Sequence, residues 1–214
     1  MRRAIAFSAL LAMAPFAGKA QKLPGLKPTL QGTFFLPVAL GNPVFNDLTF
    51  ILGQVDGTFQ LPAYKDFGLG AGVNATWYEL NDRALAQVPT EGDVSRLLFY
   101  GKLFWSRYMG PRTFFELNAK FGHSTWDWNC TTCSSNERQS GFHWGTNAAL
   151  YVHASDNLAF GLSVGYQRDA TTFGPGVIGL ESFPGLTDTG GPYQFLTVGL
   201  GFSTSFEKAK DGMW

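Results

Sequence analysis

His123 and Thr125 stand two residues apart in Gly122-His123-Ser124-Thr125. In an extended chain such residues share a face, so an imidazole base lies beside a hydroxyl. That is the start of nucleophilic catalysis, in which the base takes the hydroxyl proton and the oxygen attacks an ester. Asp127 and Glu79 lie at similar height and could orient the ring, but no spacing ties either to it. The plainer use of His123 and Thr125 is as polar groups at an interface. On that reading the chain is not an enzyme and has no catalytic residue.

Four charges suggest a different chemistry. Asp56, Lys102, Glu116 and Lys120 fall mid-segment on polar faces, and they sum to zero. Charges shut away from water must be paired or hydrogen-bonded, so these predict a polar network joined by Asn118, Asn147, Gln31, Gln54 and Asn74. Such a network fills space; a proton or ion path is its sharper use. His143 and His153 share a face with it but lie too far apart along a strand to make a metal site. Cys130 and Cys133, in Cys-Thr-Thr-Cys, are a weak metal signal and a better loop disulfide in an exported chain. No Gly-rich phosphate loop with a lysine occurs, and no cofactor or metal is expected.

Export is written at the N-terminus. Arg2 and Arg3 precede an apolar run over 4–16, and Gly18-Lys19-Ala20 supplies the small residues of a cleavage site, which predicts a signal peptide over 1–20. The run is too short to span a hydrocarbon layer of ~30 Å. The mature chain divides into a short segment 21–28, a body 29–206 and a tail 207–214. Only 15% of the residues are charged, against ~25% in ordinary soluble domains. Formal net charge is zero, so nothing points to nucleic acid. Beyond the leader there is no 18-residue apolar run, which excludes membrane-spanning helices and leaves a membrane barrel open.

Eight segments alternate with period 2: 29–36, 50–61, 67–80, 96–109, 113–128, 141–154, 158–168 and 193–206. In the third, Leu69, Val73 and Trp77 alternate with Gly70, Gly72 and Asn74. In the last, Leu196, Val198 and Leu200 alternate with Thr197, Gly199 and Gly201. Period 2 with no i, i+3, i+4 stripe means strands. Short turns such as Gly110-Pro111-Arg112 and Ser155-Asp156-Asn157 alternate with longer connections.

The closing strand and the alternation of short and long connections resemble small outer-membrane β-barrels of the OmpX and OmpA transmembrane-domain type. The resemblance rests on architecture. It implies an all-β fold, an eight-stranded antiparallel up-and-down barrel with short periplasmic turns and long extracellular loops. Closure is a physical requirement there, since unpaired backbone in hydrocarbon costs several kcal/mol per group.

Period 2 does not say which face points out. Bulky residues inside would describe a secreted lipocalin-like binder, with an outer coat of Gly, Asn, Ser and Thr too sparsely charged for water. Bulky residues outside describe a membrane barrel, with a lumen just wide enough for side chains. Aromatic residues near the segment ends suggest two girdles, Trp77, Trp126, Trp128, Trp144 and Tyr193 at the loop end and Phe59, Phe67, Trp105, Phe115 and Phe206 at the turn end.

The function this reading predicts is structural: a barrel with a plugged polar lumen in the Gram-negative outer membrane, touching its lipids and lipopolysaccharide and presenting loops outside. The connection 169–192 carries Val177, Ile178, Leu180, Phe183 and Leu186, so it covers the mouth or docks a protein partner. Alternatives are an accessory subunit of a larger outer-membrane complex, and a lipid-modifying acyl hydrolase using His123, since some outer-membrane acyl hydrolases carry a His and a Ser two residues apart.

Overall fold

The structure, a computed structural model, describes residues 25–81, 91–131, 137–183 and 190–206. The leader 1–20, residues 21–24 and the tail 207–214 lie outside the described residues. Eight strands run in order: β1 Thr29–Ala39, β2 Thr49–Tyr64, β3 Phe67–Leu80, β4 Gly92–Tyr108, β5 Thr113–Cys130, β6 Glu137–Ser155, β7 Leu158–Phe173 and β8 Gly191–Ser205. Each pairs antiparallel with its neighbours, and β1 pairs with β8 to close the barrel. Closure satisfies the backbone without leaving a sheet edge.

β3 spans the residues that the alternation marked. Other strands run further toward the loop end: β4 begins at Gly92, β6 at Glu137, and β7 reaches Phe173. Their ends are held by the backbone ladder, with Gly92 opposite Cys130 and Glu137 opposite Trp128. Side-chain alternation fades before the hydrogen bonds do. Two short pieces have no sequence period to betray them, α1 (Pro43–Leu48) between β1 and β2 and a 3-10 turn (Pro175–Ile178) between β7 and β8. Asn42 caps α1, its Oδ1 accepting from Phe45 N at 3.2 Å, and proline opens the first turn.

Bulky apolar side chains point outward all round the barrel: Leu69 is 55% exposed, Leu162 63% and Leu200 66%. Facing in, Gln54, Thr58, Asn74 and Glu116 are buried. The interior also admits rings, because glycine on a neighbouring strand leaves room for them. A Cβ at Gly72 would sit 2.6 Å from Tyr100 Oη, and one at Gly199 would sit 2.5 Å from Phe35 Cδ1.

One seam is incomplete. β1 pairs with β2 only from Thr29 to Phe35, opposite Gln60 to Gln54. Beyond that, β1 keeps its β8 partners up to Ala39, and β2 keeps β3 partners at Thr49, Phe50 and Ile51. The connection containing α1 folds inward behind this parting.

Candidate functional site: the filled lumen and its aromatic mouth

The barrel interior is layered. At the loop end Phe45, carried inward by α1, is ringed edge-on by Tyr78, Trp126, Trp128, Phe173, Tyr193 and Phe195, with centroids 5.4 to 6.2 Å away. Edge-to-face packing at these separations is the favoured aromatic geometry. Val177, Ile178 and Phe183 are buried in the same cluster, and Leu180 packs against it. These apolar residues of 169–192 are therefore spent on covering the mouth; Leu186 lies outside the described residues.

Below the rings lies an ion cluster. Asp169 sits with Arg96 Nε 3.0 Å from its Oδ2, accepts from Arg96 Nη2 at 3.0 Å on Oδ1, and accepts from Trp126 Nε1 at 2.8 Å. His143 Nδ1 lies 2.7 Å from Asp169 Oδ1 and 2.8 Å from Arg96 Nη2. With a proton on Nδ1 it donates to the carboxylate; without one it accepts from the guanidinium. Arg96 Nη1 reaches on to Asn74 Oδ1 and Gln167 Oε1, each at 3.5 Å.

Mid-barrel, Asp56 accepts from Lys120 Nζ at 2.7 Å, Tyr100 Oη at 2.6 Å, Asn74 Nδ2 at 3.1 Å and Thr58 Oγ1 at 3.1 Å. Toward the turn end, Glu116 meets Lys102 Nζ at 2.7 Å and accepts from Gln31 Nε2 at 2.9 Å, Gln60 Nε2 at 3.2 Å and Asn118 Nδ2 at 3.0 Å. Lys102 also donates to Gln31 Oε1 at 2.9 Å. Asn147 is half-buried and among the described residues its Oδ1 meets no hydrogen-bond partner; it stands apart from these pairs. At the turn end, Phe114 stacks on Tyr151 and Tyr108 Oη lies 3.1 Å from His153 Nε2.

Each of these interior carboxylates thus has a cation and further polar partners, which is what a buried charge requires. Among the described residues three carboxylates, Asp56, Glu116 and Asp169, face three fixed cations, Arg96, Lys102 and Lys120. Among the described residues no cluster of three or more His, Cys, Asp or Glu is placed to hold a metal. Arg96, Asp169, Tyr100, Gln60 and Gln167 were absent from the sequence-derived network, although the same alternation, continued to the strand ends, turns Arg96 and Asp169 inward.

The girdle assignment needs correcting. Trp126 and Trp128 are fully buried in the mouth, as is Tyr193, so they belong to no outer girdle. Glu116, Asn118 and Lys120 face in, and counting by twos from them reaches Trp126 and Trp128 on the same inner face. Ring type suggested an interface where parity dictated the lumen. Trp77 does face out, and Trp144 packs with Tyr166 at 5.4 Å. At the turn end Trp105 meets Phe115 at 6.4 Å and Phe59 meets Phe206 at 6.0 Å.

His123 is exposed on the outer face and Thr125 is half-buried. Among the described residues no hydrogen bond joins His123 to Thr125, Asp127 or Glu79. The Asp127 carboxylate is held by Arg138, and Ser124 turns inward and donates to the Gly141 carbonyl at 3.4 Å. Among the described residues nothing orients the imidazole toward a hydroxyl. Cys130 is disulfide-bonded, and Cys133 lies outside the described residues.

No family model and no curated protein sequence matches this chain. Among solved structures, Neisserial surface protein A aligns with a TM-score of 0.51 at 9% identity, over 86% of this chain and 99% of that one. The fold is that of the small outer-membrane barrels. Ail, the attachment invasion locus protein of Yersinia pestis, aligns at TM-score 0.46 and 10% identity over 83% of this chain and 97% of its own. The N-terminal β-barrel domain of Pseudomonas aeruginosa OprF gives TM-score 0.39 and 12% identity, over 84% of this chain and 99% of that chain.

Proposed function

We propose that this chain is a non-enzymatic outer-membrane barrel whose plugged lumen gives a rigid stem for loops held outside a Gram-negative cell. The observation that carries the reading is the outward face. Leu69, Phe99, Leu162 and Leu200 are 55 to 66% exposed there, around a closed barrel whose mid-strand ion pairs are turned inside. Water would not hold such a surface, whereas lipid does.

On this reading residues 1–20 are a leader removed on export, 21–28 and 207–214 are short periplasmic ends, and the short turns face the periplasm. Membrane lipids and lipopolysaccharide contact the outer face. The filled interior supports a stem and not a pore: side chains at three levels obstruct the axis, and their ion pairs would have to separate for an ion to pass. The pairing of Asp127 with Arg138 and the isolation of His123 support a non-catalytic outer face.

The test is expression with the leader in a Gram-negative host, followed by membrane fractionation. Mature protein in the outer-membrane fraction, protected from protease along its strands and cleaved in its loops from outside the cell, supports the proposal. Soluble protein in the periplasm or medium refutes it.

A further inference from the structure

The parting between β1 and β2 is specific in its make-up. Pro37 stands in the unpaired reach of β1 and offers no N–H to any neighbour. Across from it, β2 shifts register between Ile51 and Gly53, and Gly53 has φ +153°. α1 partly compensates the exposed edges: Asn46 Nδ2 donates to the Ala39 carbonyl at 3.1 Å, and Thr49 Oγ1 donates to the Phe45 carbonyl at 2.7 Å. Outside, the margins are Leu36, Val38 and Leu40 on one side and Phe50 and Leu52 on the other, 39 to 64% exposed. Inside lies the aromatic chamber, occupied by Phe45 with Val44 and Leu48.

We propose that this parting is a lateral portal through which an acyl chain of a membrane lipid enters the aromatic chamber when α1 withdraws. The inference rests on the membrane reading of the outer face. Hydrocarbon is the fitting occupant for three reasons. The margins continue the apolar outer face, the chamber wall is made of rings, and the groups that now fill the chamber are themselves hydrocarbon. The charges on its floor, Arg96 and Asp169, are bound to each other and select no charged head. Entry from water is opposed by Val177, Ile178 and Phe183 across the mouth.

α1 is built to move. It has six residues, too few for a helix to persist on its own. Its place is set by Phe45 packing and by a few hydrogen bonds at its ends: Asn42 Oδ1 accepts from Phe45 N and its Nδ2 donates to the Gly191 carbonyl at 3.3 Å, Asn46 holds the Ala39 carbonyl, and Asn81 donates from N to the Leu48 carbonyl at 2.8 Å and from Nδ2 to the Asp47 carbonyl at 3.2 Å. Gly41, at φ +66°, lies at its near end, where a left-handed backbone comes without strain.

Six tryptophans make the test possible. Replacing Trp77, Trp105, Trp144 and Trp214 by Phe leaves Trp126 and Trp128 as reporters of the chamber. Replacing Trp77, Trp126, Trp128 and Trp214 by Phe leaves Trp105 and Trp144 as reporters of embedding. Both are reconstituted in phosphatidylcholine vesicles carrying bromine on the acyl chains, and iodide serves as the aqueous quencher. The embedding reporters should be quenched by bromolipid. For the chamber reporters, Phe45→Ala should raise the bromolipid-quenched fraction about twofold, the response to a lid shifted from mostly closed to half open. Asn42→Ala, which keeps the ring and loosens its support, should give a smaller rise, and iodide should remain ineffective in both.

An unchanged chamber signal in both variants overturns the portal and leaves the membrane barrel intact, as does quenching of the chamber by iodide. Embedding reporters blind to bromolipid would overturn the membrane reading itself, and the portal with it.

Discussion

Arg96 holds Asp169 through two contacts of 3.0 Å, and both side chains are only 1% exposed. β4 and β7 reach across the barrel axis to make this pair, and Trp126 and His143 complete the carboxylate's surroundings. An interior pair of this kind contributes little net stability against a well-packed apolar substitute, yet breaking it is costly.

Arg96→Met leaves Asp169 without its fixed cation. It should lower unfolding free energy by about 3–5 kcal/mol. Arg96→Met combined with Asp169→Leu should recover most of that loss. Urea unfolding of the vesicle-embedded barrel, followed by tryptophan emission, reads both; a double variant as unstable as the single one would show that the pairing is not what matters.

The lumen should be electrically quiet. Planar-bilayer recording of the purified wild-type barrel is expected to show no large steady conductance steps, because Lys102 with Glu116 and Lys120 with Asp56 close the interior at 2.7 Å. Lys102→Ala with Glu116→Ala removes one of these pairs and should raise the frequency of small openings. Large steady steps in the wild type would contradict a filled stem.

Leu200, two-thirds exposed on β8, faces away from the interior. Leu200→Arg should cost about 2–4 kcal/mol in folding into vesicles, the penalty for arginine at bilayer mid-depth. Equal stability of variant and wild type in vesicles would mean that this face meets water.

Lipid hydrolysis should be absent. Wild type and His123→Ala, each incubated with lipid A or phospholipid, are expected to release no fatty acid above a no-protein control, since among the described residues His123 has no hydrogen-bonded hydroxyl or carboxylate partner. Release by wild type that His123→Ala abolishes would restore the catalytic reading.

Gly72 and Tyr100 give a test of the packing. A Cβ at Gly72 would press on the Gly57 carbonyl as well as against the phenol that bonds Asp56 at 2.6 Å, so Gly72→Val crowds both the backbone of β2 and the ring. Overpacking of this kind costs about 1–3 kcal/mol. The same unfolding assay should show the loss, and adding Tyr100→Phe should not relieve it, because the Gly57 carbonyl and the ring carbon Cζ, 2.7 Å from that Cβ, both remain; wild-type stability in Gly72→Val would mean that the interior has room there.

Strand number, strand order and the inner or outer face of most residues were legible because each depends on a local repeat. Leu69 to Trp77, and Thr197 to Ser203, declare their faces residue by residue. The same parity, followed past Lys120, would have placed Trp126 and Trp128 inside; ring chemistry suggested otherwise and was the weaker guide. α1 left no such mark, since six residues around a proline carry no period.

The chain's own order of side chains therefore determined eight strands with bulky apolar residues on one face and small polar ones on the other, because alternation along a strand is set by the backbone pleat alone, and the scarcity of charged residues turned the apolar face outward. Only the tertiary structure decided that Arg96 meets Asp169, that Phe45 lodges among six rings, and that β1 leaves β2 at Phe35. These are meetings across the barrel axis or between distant loops, and their geometry comes from register and closure, which no single strand records.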